Sequence, residues 1–212
     1  DGAITAYYSE NTDTESRFAE ISVTAEGLPP IIVTISQEGQ ALRVFNLNVL
    51  LQGLYNGNGT MHPALDETGN AHWGAAIADK ITVELHESSN YQNTILSVQG
   101  VDLHTDGTAV ILIPDNVSGS FYLVVKHRNS IETVSAMPLI FSETPVDYNF
   151  NLNTKAYGNN LILMPDGWWA VYGGDVVQDG IVDTQDMTPV DNDSGGFQSG
   201  YLNSDVNGDG IT

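Results

Sequence analysis

The chain has 212 residues, of which 41% are hydrophobic, enough to bury a core and to fill one large or two small domains. Acids outnumber bases 27 to 6, a formal charge of −21, which excludes nucleic acid and anionic membrane surfaces as partners because phosphate binding needs Lys and Arg. Cysteine is absent, which excludes disulfides and thiolate metal sites, and no apolar run reaches the roughly 18 residues of a membrane-spanning helix.

Residues 1–40 read as strands. ITAYY, FAEISVTA and PIIVTISQEG carry period-two or continuous β-branched patterns. Gly27 with Pro29 and Pro30 marks a turn between the last two. The order Asn11, Arg17, Ile21, Val23, Thr24, Gly27, Val33, Ile35, Gln37 and Gly39 resembles the C-terminal half of a BACON domain. That family is an immunoglobulin-like β-sandwich of Bacteroidota surface and secreted proteins. The resemblance implies the tail strands of one such domain and carries over no sugar-binding residue.

Residues 41–172 read as a β-sandwich. Strand text recurs as LRVFNLNVLLQG, DKITVELHES, TILSVQGVDLHT, TAVILIPD, GSFYLVVKHRN, IETVSAMPLIF, VDYNFNL and WWAVYGG. Turn signals fall between these segments at 56–59, 88–90, 106–107, 118–119 and 166–167. Short strands at regular spacing predict an all-β, immunoglobulin-like sandwich. LLQGLYNGNGTM, ADKITVELHESSNY and GSFYLVVKHRNSIETVSA resemble a C-terminal module of large Bacteroidota exported proteins. The resemblance implies an extracellular or cell-surface location and implies no activity.

Residues 173–212 contain two acidic loops. A calcium loop of the EF-hand or dockerin kind places oxygens at positions 1, 3, 5, 7, 9 and 12, with Gly at position 6 for the sharp turn. In GGDVVQDGIVDTQD these positions give Asp175, Asp179, the Ile181 carbonyl, Asp183 and Asp186, with Gly180 at the turn. Position 3 is Val177, which cannot ligate. The second loop offers Asp205, Asn207, Asp209 and the Ile211 carbonyl around Gly210, and the text stops before its positions 9 and 12. Each loop resembles a dockerin repeat, which implies bound Ca2+, a short helix after the first loop limited by Pro189, and docking to a cohesin-like partner as one alternative. The opening in strand text and the close inside a loop give the expectation of a piece of a longer protein.

Other chemistry is weakly signalled. His62, His72, His86, His104 and His127 show no zinc spacing. His86 and His127 lie in strand text, where cross-strand packing or hydrogen bonding is expected. Lys126 and Arg128 form the one basic patch, with Glu84 or Glu132 expected opposite. Asp66, Glu67, Asp79 and Glu84 give no sign of the paired carboxyls of a glycosidase, and no hydrolase motif is present. Trp73, in loop text, is the candidate for an exposed sugar-stacking ring. In WWAVYGG one Trp should face the core and the other solvent. The expected function is therefore a non-catalytic, calcium-binding structural or adhesion module that assembles with copies of itself or with neighbouring domains. The alternative is a glycan-binding module accessory to a secreted hydrolase.

Overall fold

The computed structural model describes residues 5, 7–142 and 146–212. Among the described residues the chain is all-β apart from one helix and three single 3-10 turns. Strands β1 (Arg17–Val23) and β2 (Ile31–Gln37) form an antiparallel hairpin, Arg17 opposite Gln37 and Val23 opposite Ile31. Phe18, Ile31, Ile32 and Val33 stay exposed, so the hairpin buries little apolar surface among the described residues. Buried Asn11 ties it instead, donating to the carbonyls of Glu15 (2.8 Å) and Glu38 (3.0 Å). The strand expected over 4–8 includes Ile4 and Ala6, which lie outside the described residues, while Tyr7 and Tyr8 are exposed and not in a strand.

The larger unit is built of strands, as expected. Its strands are β3 (Leu42–Asn48), β4 (Tyr55–Gly57), β5 (Thr60–Met61), β6 (Ile77–Glu87), β7 (Asn90–His104), β8 (Thr108–Pro114), β9 (Gly119–His127), β10 (Ser130–Val134), β11 (Leu139–Phe141), β12 (Val146–Asn149), β13 (Ile162–Leu163) and β14 (Trp169–Ala170). One sheet has the order β10-β9-β6-β7, with β11 also paired to β9, and another has β12-β3-β8. Alternation along each strand turns Phe45, Leu47, Ile111 and Ile113 of the smaller sheet, and Ile81, Val83, Leu85, Leu103, Leu123 and Val125 of the larger, into one core. Phe45 of the smaller sheet meets Phe141 of the larger edge-on at 5.6 Å, and Phe141 lies tilted against Phe121 of its own sheet at 5.9 Å. Each such side chain contributes about 1.5–3 kcal/mol by leaving water.

Three expectations need correction. Strand β3 ends at Asn48, because Val49, Leu50 and Leu51 are all buried and cannot alternate; they lead into the turn Gln52–Leu54. IETVSAMPLIF is two strands, split where Ser135 bonds back across β9. Only Trp169 and Ala170 of WWAVYGG are in a strand, paired with β13. As expected, Trp169 packs on the core and Trp168 faces outward, its ring against Gly59. Strand β12 runs parallel to β3, Val146 beside Phe45, whereas the other strand pairs are antiparallel.

The helix α1 (Thr184–Gly195) is longer than expected and contains Pro189. Its start is capped, which adds stability to a helix that Pro189 weakens. The Asp183 side chain accepts from Gln185 N (2.7 Å), and the Asp186 side chain accepts from Asp183 N (2.9 Å), a reciprocal cap. No helix is long and apolar enough to cross a membrane among the described residues.

Candidate functional site

The two acidic loops share one hydrogen-bonded frame. In the first, Asp175 accepts from the amides of Asp179 (3.1 Å) and Gly180 (3.1 Å), and Asp179 accepts from the amide of Ile181 (3.0 Å). In the second, Asp205 accepts from Asp209 (3.2 Å) and Gly210 (3.0 Å), and Asp209 accepts from Ile211 (2.9 Å). Positions 1, 5, 6 and 7 therefore do the same work twice, 30 residues apart. The turn residue is left-handed in both, φ +85° at Gly180 and +78° at Gly210, a conformation that favours glycine.

The remaining oxygens divide between the loops and their surroundings. Asp186 accepts from Val176 (2.7 Å) and Val177 (3.1 Å), which folds position 12 back over positions 2 and 3. Asp183 caps α1. Asn207 donates to Asp209 (2.9 Å). Val177 offers no side-chain oxygen and is partly exposed. The donor set is entirely oxygen, which suits a hard cation such as Ca2+. Carboxylates, one amide and two carbonyls supply it; among the described residues no group of three or more His, Cys, Asp or Glu side chains is gathered tightly enough to hold a metal ion.

Asp175 and Asp205 are each about 1% exposed. Burial pushes the Asp175 carboxyl above its ordinary range, and the charge of Asp186 adds to this against the Gly180 and Asp179 amides. Burial likewise pushes Asp205 up, with the charge of Asp209 adding and the Gly210 amide and Arg128 opposing. In both loops burial thus disfavours the charged form of the position-1 carboxyl.

A polar hub fastens the second loop to the sheets. Asp79 on β6 is fully buried and accepts from His127 Nε2 (3.0 Å), Arg128 Nε (3.1 Å), Tyr201 OH (2.6 Å), Trp73 Nε1 (3.2 Å) and its neighbour's amide, Lys80 N (2.7 Å). Burial alone would raise its carboxyl; the hydrogen bond and charge of His127, with Tyr201 and Arg128, hold it well below the usual carboxylate range. Arg128 Nη1 donates to the carbonyls of Leu202 and Asp205, and Asn129 Nδ2 to those of Asn203 (3.1 Å) and Asp205 (2.9 Å). Leu65 N donates to Gly208 O (2.9 Å). The loop is therefore held to the body largely through its backbone carbonyls.

Trp73 is part of this hub. It is 40% exposed, meets His72 edge-on at 4.5 Å and Tyr201 at 5.6 Å, and lies beneath Lys80. His86 bonds Glu84 (2.9 Å) and the Tyr91 carbonyl (2.7 Å), and Lys126 pairs with both Glu84 (2.9 Å) and Glu132 (3.3 Å), as the sequence led one to expect. Asp66 stabilises its own turn through Thr68 and Asn70. The hub itself had no sequence signal: Asp79, Arg128 and Tyr201 are brought together from 49 and 122 residues away. Compared with protein-family models, curated proteins and solved structures, the chain finds no match.

Proposed function

We propose that this chain is a non-catalytic structural or adhesion module of a secreted or surface protein, in which calcium bound by the paired loops fixes the terminal segment to an immunoglobulin-like sandwich. The observation that carries the reading is the repeated frame around Asp175 and Asp205. Asp175, Asp179, Asp183, Asp186 and the Ile181 carbonyl would hold one ion, and Asp205, Asn207, Asp209 and the Ile211 carbonyl would contribute to a second. Bound calcium would supply positive charge where burial now opposes two carboxylates. Because Arg128 and Asn129 grip the Asp205 carbonyl, ordering that loop orders its junction with the sheets.

The test is thermal melting in calcium and in chelator. A ligand at about 100 times its dissociation constant stabilises by about 2.7 kcal/mol, a rise of about 5–10 °C for a chain of this size. Asp175→Ala with Asp205→Ala should abolish that rise while the sheets still melt cooperatively. Identical melting of the parent protein in calcium and chelator would sink the reading.

A further inference from the structure

We propose that the cleft between Tyr91, Tyr122 and Tyr157, on the outer face of the five-stranded sheet, binds a neutral carbohydrate through the apolar face of its pyranose rings. The cleft has a volume of about 400 Å³ and is lined by these three tyrosines and Val134, within the range of small-molecule sites. Four elements build it: β7 brings Tyr91, β9 Tyr122, β10 Val134, and the turn Tyr157–Asn159 brings Tyr157. Val124 pairs with Val134 on one side and Glu84 on the other. It points away from Phe121, Leu123 and Val125 by strand alternation, yet is fully buried outside the core cluster. The outer face is therefore covered here, and the cover is aromatic.

The rings of Tyr91 and Tyr122 meet at 6.0 Å with their planes 71° apart. Tyr157 is 66% exposed. Perpendicular walls with one exposed ring suit a flat ligand with an apolar face. The charge beside the cleft argues for a neutral ligand. Lys126 bridges Glu84 and Glu132, so both carboxylates already have a cationic partner. Glu132 also accepts from Tyr91 OH (3.2 Å), and its remaining lone pairs are available to hydroxyl donors. Among the described residues, the hydroxyls of Tyr122 and Tyr157 have no partner. A pyranose offers this combination, C–H bonds on one face and hydroxyls around the edge.

The experiment is isothermal titration of the whole chain with cellohexaose, xylohexaose, mannohexaose and maltohexaose, and in parallel with a peptide of ten prolines. At least one sugar should bind saturably at millimolar concentration or below. Tyr157→Ala, a change at an exposed ring, should weaken that binding about tenfold or more without moving the melting temperature. Binding unchanged in Tyr157→Ala overturns the assignment, as does the absence of saturable binding by all four sugars. Binding of the proline peptide alone also overturns it and assigns the cleft to an extended peptide.

Discussion

Asp79 shows how much one residue can carry. Its carboxylate is the shared acceptor for side chains from β9, the loop before β6 and the terminal segment. Replacing it with Ala leaves Arg128 buried without its counter-charge, which costs about 3–5 kcal/mol. Urea unfolding at neutral pH should show that loss, and a loss below about 1 kcal/mol would mean that the hub relaxes freely. The pH dependence has a definite sign. Because the folded carboxyl lies below its unfolded value of about 3.9, its stabilisation is complete above that value and fades as pH falls toward the folded one. Asp175 and Asp205 are shifted the other way, so without an ion they favour folding more as pH falls. In chelator, the parent protein should therefore lose less stability on acidification than an Asp175→Asn, Asp205→Asn variant, in which this contribution is absent. An equal loss in the parent and the variant would refute the assignment of the two carboxyls. The acidic loop residues were legible because their spacing is local. Asp79 was not, since its partners are distant in sequence and its text is that of an ordinary acid at a strand start.

At the scale of elements, period-two patterning and turn residues located β6, β8 and β9 to within about two residues, but began β7 four residues late, because Asn90 to Asn93 read as turn text. The pattern failed where burial was continuous, at Val49–Leu51, and where a side chain interrupted a strand, at Ser135. It also missed the length of α1, because Pro189 reads as a stop while the reciprocal cap of Asp183 and Asp186 offsets it. The second loop depends on close approach as well as on hydrogen bonds. Gly208 has φ +71°, and a Cβ there would overlap the Leu54 side chain. Gly208→Ala should accordingly lift the loop from the body, seen as faster proteolysis within residues 199–212 while β6 to β9 stay protected. Unchanged proteolysis would show that the docking tolerates displacement.

For the whole molecule, composition alone foretold a charge balance that the structure leaves unresolved. Arg43, Lys80, Lys126 and Arg128 are each ion-paired, so most of the few cations are consumed within the sheet unit and the acid surplus remains. The sequence also foretold an all-β chain, but not which strands would be neighbours. Pairing between β12 and β3 joins residues about a hundred positions apart, and nothing in local text records it.

That parallel pair also sets an order of assembly. The hairpin β6–β7 and the antiparallel pair β3–β8 need only the chain between them, and β9 adds directly to β6. Strand β3 keeps one edge open until residue 149 has been made, because only β12 covers it. During synthesis, LRVFNLN thus keeps one partly apolar edge unpaired until β12 has been made, open meanwhile to pairing with another chain. In pulse-labelled refolding, the amides of β12 should gain protection after those of β6, β7 and β9; simultaneous protection would mean that the parallel pair forms with the nucleus rather than after it.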